Sequence, residues 1–235
     1  MSVYFEGWYF KQQTARDMIA VIPAFHTDSA GKRTGSVQVI TPENSYYVSL
    51  PGESMHIDRQ ALVLRAGDSE FSLRGMTLNL QGDGLTAVGR LNYRSAVMPR
   101  GDIMGPFKFI PFMECRHSVF SLTHQVTGSL TVNGRLYDFS DGVGYMEGDR
   151  GRSFPKRYVW AQCSWSDGGP CALMLSAADV RPLGREFVGV IGFVYLYGRE
   201  IRIATYLGAK TVSVGGGKLV VQQGGYTDVF QFSGR

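Results

Sequence analysis

Residues 131–137 read TVNGRLY, which places Asn133 and Gly134 between two short strand-like runs. An Asn-Gly pair tolerates positive φ at both central positions of a type I′ turn, so it is the strongest short signal for a two-residue hairpin. The stretches at 126–132 (VTGSLTV) and 84–94 (GLTAVGRLNYR) alternate between apolar and polar residues, as half-buried strands do. These stretches predict an antiparallel β protein.

The composition agrees with this prediction. The 235 residues include 30 Gly, 14 Phe, 12 Tyr and 3 Trp, and Gly at about 13% exceeds the usual 7% or so. Hydrophobic residues make up 44% and charged residues 19%, which excludes intrinsic disorder. Without a Gly-X-Y period, collagen is excluded as well. A chain rich in glycine and aromatics is typical of many short strands joined by tight turns.

Strand-like runs fill most of the chain, about eight between Tyr4 and Tyr93 and about ten between residues 117 and 232. Between them, residues 95–112 (SAVMPRGDIMGPFKFIPF) hold three prolines and two glycines in a still apolar stretch, which indicates a packed connector. We therefore predict an all-β fold of two antiparallel barrel-like or sandwich-like halves, residues 1–95 and 113–235, joined by residues 96–112. Barrel closure would remove exposed strand edges.

Several function classes are excluded by the sequence. The net charge is only +4 and no basic run occurs, so we expect no nucleic-acid partner. Three cysteines without CxxC spacing and four scattered histidines predict neither a disulfide framework nor a metal site. The N-terminus lacks a signal-peptide pattern, and the longest uncharged run, 187–198, is too short for a membrane span. We expect a cytoplasmic protein.

The first segment with candidate chemistry is FEGWYFK at 5–11. Strand alternation puts Phe5, Gly7, Tyr9 and Lys11 on one face and the three residues between them on the other. Whichever face is interior brings one charge, Lys11 or Glu6, toward an apolar space. The alternative is that both charges lie at the strand's ends in solvent.

The second segment runs from Asp138 to Gln162 and crowds four carboxylates and four bases among aromatic residues. A carboxyl group held near apolar walls has a raised pKa and can serve as a general acid, whereas an adjacent Arg lowers that pKa. The alternative is a charged, glycine-rich loop that forms surface ion pairs.

At these two segments the chain resembles the tocopherol cyclase family, whose members are similar to lipocalin-like proteins. FEGWYFK resembles the family's N-terminal signature, and YMEGDRGRSFPKRYVWAQC at 145–163 resembles its central signature. The matching positions in the central segment are Tyr145, Glu147, Gly151, Phe154, Pro155, Trp160, Gln162 and Cys163. The family's Lys-Asn-Trp triplet after the glutamate is replaced here by Gly148, Asp149 and Arg150.

The resemblance implies two lipocalin-like halves and a cyclase that forms a chromanol ring from a hydrophobic prenylated quinol without a cofactor. An acid protonates the trisubstituted alkene, and the phenolic oxygen captures the resulting cation. Glu147 or Asp149 is the expected acid. The expected substrate-binding residues are Trp8, Tyr9, Lys11, Tyr145, Arg150, Trp160 and Gln162. A hydrophobic small molecule is the expected partner, and peripheral membrane contact is compatible with it.

Two other functions remain open at this point. A non-catalytic lipocalin-like carrier of a lipid or isoprenoid would use the same pocket, and the altered triplet at 148–150 favours it. A hydratase acting on an isoprenoid double bond would use the same acid with water as nucleophile. The glutamate at position 147 favours an enzyme, and the aromatic residues can also be ordinary core.

Overall fold

A computed structural model describes residues 3–111, 113–180 and 187–231. The hairpin at Asn133-Gly134 is confirmed: Val132 pairs with Arg135, and Asn133 and Gly134 have φ values of 47° and 82°. The Asn133 side chain also accepts from the backbone N–H of Thr86 at 2.7 Å. The turn therefore sets the local register of the two strands it joins.

The described residues form nineteen strands and three short 3-10 helices, with no α-helix among them. The strands of the larger sheet are β1 (Tyr4–Gln13), β2 (Met18–Thr27), β3 (Arg33–Ile40), β4 (Ser45–Pro51), β5 (Met55–Asp58), β6 (Val63–Ala66), β7 (Ser69–Ser72), β8 (Gly75–Gly82), β9 (Leu85–Val97), β10 (Cys115–Val132), β11 (Arg135–Asp138) and β12 (Gly142–Gly151). The others are β13 (Tyr158–Ser166), β14 (Pro170–Val180), β15 (Phe187–Leu196), β16 (Arg199–Ala204), β17 (Lys210–Gly215), β18 (Lys218–Gln223) and β19 (Tyr226–Gln231). The 3-10 helices are Gly52–Ser54, Gly105–Phe109 and Thr205–Leu207.

The all-β class and the antiparallel pairing are confirmed, with two differences in detail. The alternating run predicted at 126–132 is the last part of a longer strand, β10, which has a register shift between Thr123 and Gln125. Residues 142–151, predicted as part of a charged segment without a strand, form β12. Residues 112 and 232, at the ends of the predicted connector and last strand, lie outside the described residues.

The chain forms two compact units whose composition differs from the halves expected at 1–95 and 113–235. The first unit contains residues 1–99 and 117–153, and the second contains residues 100–116 and 154–235. The physical reason is strand pairing. Residues 117–153 supply β10, which pairs with β9, and β12, which pairs with β1.

The first unit is built on one twelve-stranded sheet, in the order β4-β3-β2-β1-β12-β10-β9-β8-β7-β6-β5 with β11 on β10. One face carries a continuous core that includes Trp8, Phe10, Phe71 and Met146. The sheet curls around this core, because β4 lies against β8 and β9. Among the described residues no pairing joins β4 to β5, so closure into a barrel remains a prediction.

The second unit holds two smaller antiparallel sheets, β13-β14-β15-β16 and β17-β18-β19. Leu175, Val190 and Ile203 of the first sheet pack with Leu219 and Val221 of the second in a separate apolar core. A sandwich of these two sheets remains a prediction. No helix within the described residues has the length and apolar character to cross a membrane.

Candidate functional site

Pairing of β1 with β12 brings the two segments singled out in the sequence side by side. Gly7 lies opposite Asp149, Tyr9 opposite Glu147, and Lys11 opposite Tyr145. More than 130 residues separate these partners in the chain, yet they are neighbours in the sheet. The aromatic strand and the acidic strand therefore form one surface.

The two faces of this strand pair have different environments. Glu6, Trp8 and Phe10 are buried on the core face, as alternation along β1 predicts. Tyr9 and Lys11 lie on the opposite face with the side chains of β12 that are paired to them. The interior charge on β1 is thus Glu6, which forms an ion pair with Arg59 and accepts from the Tyr4 hydroxyl at 2.7 Å.

On the face opposite the core, β10 adds a residue that the sequence-based site did not include, His117. Its Nδ1 lies 2.9 Å from Asp149 Oδ1, and its Nε2 lies 3.3 Å from Glu147 Oε2. The Tyr145 hydroxyl donates to the same Glu147 oxygen at 2.5 Å. The His117, Glu147 and Asp149 side chains retain 10%, 8% and 23% of their exposure. We refer to His117, Tyr145, Glu147 and Asp149 as the acid cluster.

The charge state of the acid cluster follows from its neighbours. Burial alone would lower the pKa of His117, but the charges of Glu147 and Asp149 outweigh burial and raise it to about 10. At neutral pH the ring is an imidazolium whose Nδ1–H donates to Asp149. Its Nε2–H makes a charge contact with Glu147 without hydrogen-bond alignment. Two carboxylates and one imidazolium leave the cluster with one net negative charge.

Two tyrosines complete this surface as neutral phenols. Burial and the nearby Glu147 charge raise the pKa of Tyr9 and hold the pKa of Tyr145 well above 10. The two rings meet edge to face, with centroids 6.4 Å apart. Tyr145 therefore keeps its proton and can donate it in a hydrogen bond to Glu147.

His117, Glu147 and Asp149 have ligand atoms within 4.8 Å of one another, a spacing that a metal ion could use. However, the two carboxylates face different nitrogens of one ring, and those nitrogens point in diverging directions. The imidazolium already occupies the position between the carboxylates that a cation would take. The arrangement is better suited to holding a proton than to holding a metal.

Not all predicted site residues meet at the acid cluster. Glu147, Asp149, Tyr145, Tyr9 and Lys11 share its face. Trp8 lies on the core face, with its ring 5.2 Å from that of Phe120. Arg150, opposite Glu6, is exposed on that side as well.

Trp160 and Gln162 belong to a different part of the chain, the strand β13 of the second unit. Alternation puts them on one face of that strand. The Gln162 amide donates to the Ser164 hydroxyl at 2.9 Å. Their roles as substrate-binding residues remain a prediction.

Residues 93–205 match the family model described as Tocopherol cyclase-like, which confirms the resemblance. No curated protein matches the chain in sequence.

Three solved structures share the fold at low identity. CghA matches with a TM-score of 0.58 and 12% identity, over 94% of this chain and 72% of that one. Kievitone hydratase from Nectria haematococca matches with a TM-score of 0.56 and 12% identity, over 96% of this chain and 74% of that one. A candidate AttH from Nitrosomonas europaea matches with a TM-score of 0.52 and 11% identity, over 97% of this chain and 79% of that one.

Proposed function

Residues 93–205 belong to the Tocopherol cyclase-like family, and from this premise we propose that the protein is an acid catalyst that closes a chromanol ring on a hydrophobic prenylated quinol. The buried contact of His117 with Glu147 and Asp149 is the observation that carries the proposal. This contact supports the presence of a proton that is held on His117, next to two carboxyl groups and beside aromatic rings. A carrier of an apolar ligand needs no such proton.

The reaction is an isomerisation in which the proton is returned. Protonation of one alkene carbon leaves a tertiary cation at the other, and the phenolic oxygen bonds to that carbon. The phenol then loses its proton to the group that began the reaction. Atoms and electrons balance without an oxidant or reductant, so acid and base chemistry at one site is sufficient.

We assign Asp149 as the group that donates the proton, because its side chain is the most accessible of the acid cluster, at 23%. An apolar substrate that covers it excludes water, and desolvation favours the neutral carboxyl form. The proton comes from His117 through the 2.9 Å hydrogen bond to Asp149. Glu147, held by Tyr145 at 2.5 Å, keeps the ring in place and stabilises its charge.

The aromatic residues on the same face support the cationic stage of this reaction. The half-buried Tyr9 ring lies on the same face as the acid cluster, and an aromatic face attracts a cation by about 0.5–2 kcal/mol. The net negative charge of the cluster acts in the same direction. Oriented capture by the phenolic oxygen then competes with loss of the cation to water.

The test is turnover of a prenylated hydroquinone with a trisubstituted alkene, followed by chromatography and mass spectrometry. We expect Asp149→Asn to lower the rate by about 10²–10⁴-fold, the usual contribution of a general acid. Asp68→Asn, a change of the same kind at an exposed position, is the matched control. Glu147→Gln is expected to lower the rate less and to move its pH dependence, since it removes a charge that raises the pKa of His117.

The products separate the candidate functions. A chromanol of unchanged mass supports the cyclase. A product heavier by one water indicates a hydratase, and unreacted substrate retained equally by wild type and Asp149→Asn indicates a carrier. An Asp149→Asn protein that forms chromanol at the wild-type rate refutes the assigned role of Asp149.

A further inference from the structure

The second unit exposes a pair of stacked aromatic rings in the segment Phe154–Tyr158. Phe154 and Tyr158 are 51% and 57% exposed, and their ring centroids lie 6.3 Å apart at an interplanar angle of 29°. Removing the apolar surface of these rings from water lowers the free energy. The stacked pair can therefore gain binding energy by contact with an apolar partner.

Basic residues flank these rings. Lys156 and Arg157 lie between them in sequence, both exposed, and the Arg157 side chain retains 83% of its exposure even though its Nε donates to Asp179 at 2.6 Å. Lys156 and Arg157 therefore place two positive charges beside the rings, and the one on Arg157 is paired with Asp179.

The rings lie where the strand β13 begins. Tyr158 is its first residue, and β13 lies at the edge of its four-stranded sheet. Trp165 is 41% exposed but lies on the opposite face of the strand by alternation, so it does not belong to this surface. The rings and charges of the contact therefore come from the one short segment Phe154–Tyr158.

We propose that the segment Phe154–Tyr158 docks on the anionic surface of a lipid bilayer. Tyr158 suits the headgroup region because its ring is apolar and its hydroxyl is polar, and Phe154 adds an apolar ring that can be buried at the acyl boundary. Lys and Arg beside them are attracted to anionic headgroups. Aromatic insertion and charge act together, as stable peripheral binding requires. The inference goes beyond the proposed reaction and does not depend on it.

Cosedimentation with phosphatidylcholine vesicles, with and without phosphatidylserine, tests the proposal. We expect wild type to bind the anionic vesicles and to be released by salt. Lys156→Gln weakens binding about fivefold, the equivalent of one base near the surface. Phe154→Ser weakens it by about tenfold or more, since an inserted ring loses its burial.

Matched controls come from another sheet of the same unit. Tyr226 is 78% exposed on β19, and Lys218 is exposed on β18. Tyr226→Ser and Lys218→Gln are expected to leave binding unchanged. All four positions are at the surface, and unchanged thermal unfolding will establish that each variant is folded.

Three results would overturn the proposal. Wild-type protein that does not sediment with anionic vesicles at low salt has no such surface. Equal binding to neutral and anionic vesicles removes the role of the bases. Control variants that lose as much binding as Phe154→Ser show that the contact lies elsewhere. None of these results bears on the turnover test, which uses soluble substrate and the acid cluster.

Discussion

His117 provides the sharpest test of the acid cluster, through the pH dependence of stability. Its pKa rises from 6.5 to about 10 on folding because of Glu147 and Asp149, against the opposing effect of burial. Each pKa unit corresponds to about 1.4 kcal/mol, so protonation of His117 favours the folded state by up to about 5 kcal/mol. Since the folded pKa is the higher one, this contribution is complete below pH 6.5 and is lost as the pH rises toward 10.

The contrast is largest between pH 7 and pH 9, where the linkage relation predicts that wild type loses about 2–3 kcal/mol through His117 alone. His117→Gln lacks this loss, whereas His26→Gln, a change at an exposed histidine, keeps it. Urea unfolding can be followed by Trp8 fluorescence in a background with Trp160→Phe and Trp165→Phe. Trp8 is buried in the first unit and reports on the unit that holds the cluster.

A direct measurement keeps the prediction testable if His117→Gln does not fold. In wild-type protein the ¹⁵N shifts of the His117 ring should show an imidazolium through pH 8. A ring that titrates near 6.5, or a His117→Gln protein with the same stability slope as wild type between pH 7 and 9, would refute the reasoning. Either result would also remove the stored proton on which the proposed reaction relies.

Two further predictions concern the core face of the same strands. Gly144→Ala would place a Cβ 2.2 Å from Nε2 of the buried His124, so we expect a loss of about 1–3 kcal/mol in the free energy of unfolding. The control Gly169→Ala, whose added Cβ would have no atom within 4 Å, should change the free energy of unfolding by less than about 0.5 kcal/mol. Equal effects of the two substitutions would show that the His124 ring is not held over Gly144. Arg59→Met leaves the buried Glu6 carboxylate without its ion-pair partner, and calorimetry should show a loss of about 1–3 kcal/mol in the free energy of unfolding. This loss should be smaller in a Glu6→Gln background, and an unchanged loss there would mean that Arg59 acts without Glu6.

Local patterns predicted much of this fold because local chemistry decides it. At Asn133-Gly134 the turn needs positive φ at both positions, and both residues supply it. Along β1 the alternation assigned Tyr9 and Glu6 to opposite faces, and the pairing with β12 agrees. The barrel closure and the functional roles of individual residues have no such local determinant.

His117 could not be placed from the sequence, because its role depends on register between distant strands. It lies 30 residues before Glu147, and the scattered histidines of the sequence predicted no metal site. The cluster exists only because β10 lies next to β12 in the sheet. A one-residue slip of either strand would send alternating side chains to the opposite face, so no spacing rule could have found the contact.

The failure to predict β12 has a different cause, which also explains how one strand can serve both a core and a polar site. Its core face carries glycines at 142, 144 and 148, and the space above them is filled from neighbouring strands: the ring of His124 lies over Gly144, and those of Phe120 and Trp8 lie over Gly148. The strand contributes little apolar surface of its own, so it lacks the alternation by which strands are recognised. Because aromatic rings from β1 and β10 supply that face, the opposite face is free to carry Tyr145, Glu147 and Asp149. A larger side chain at position 148 would therefore displace the rings that anchor the strand, and with them the spacing of the carboxylates on its other side.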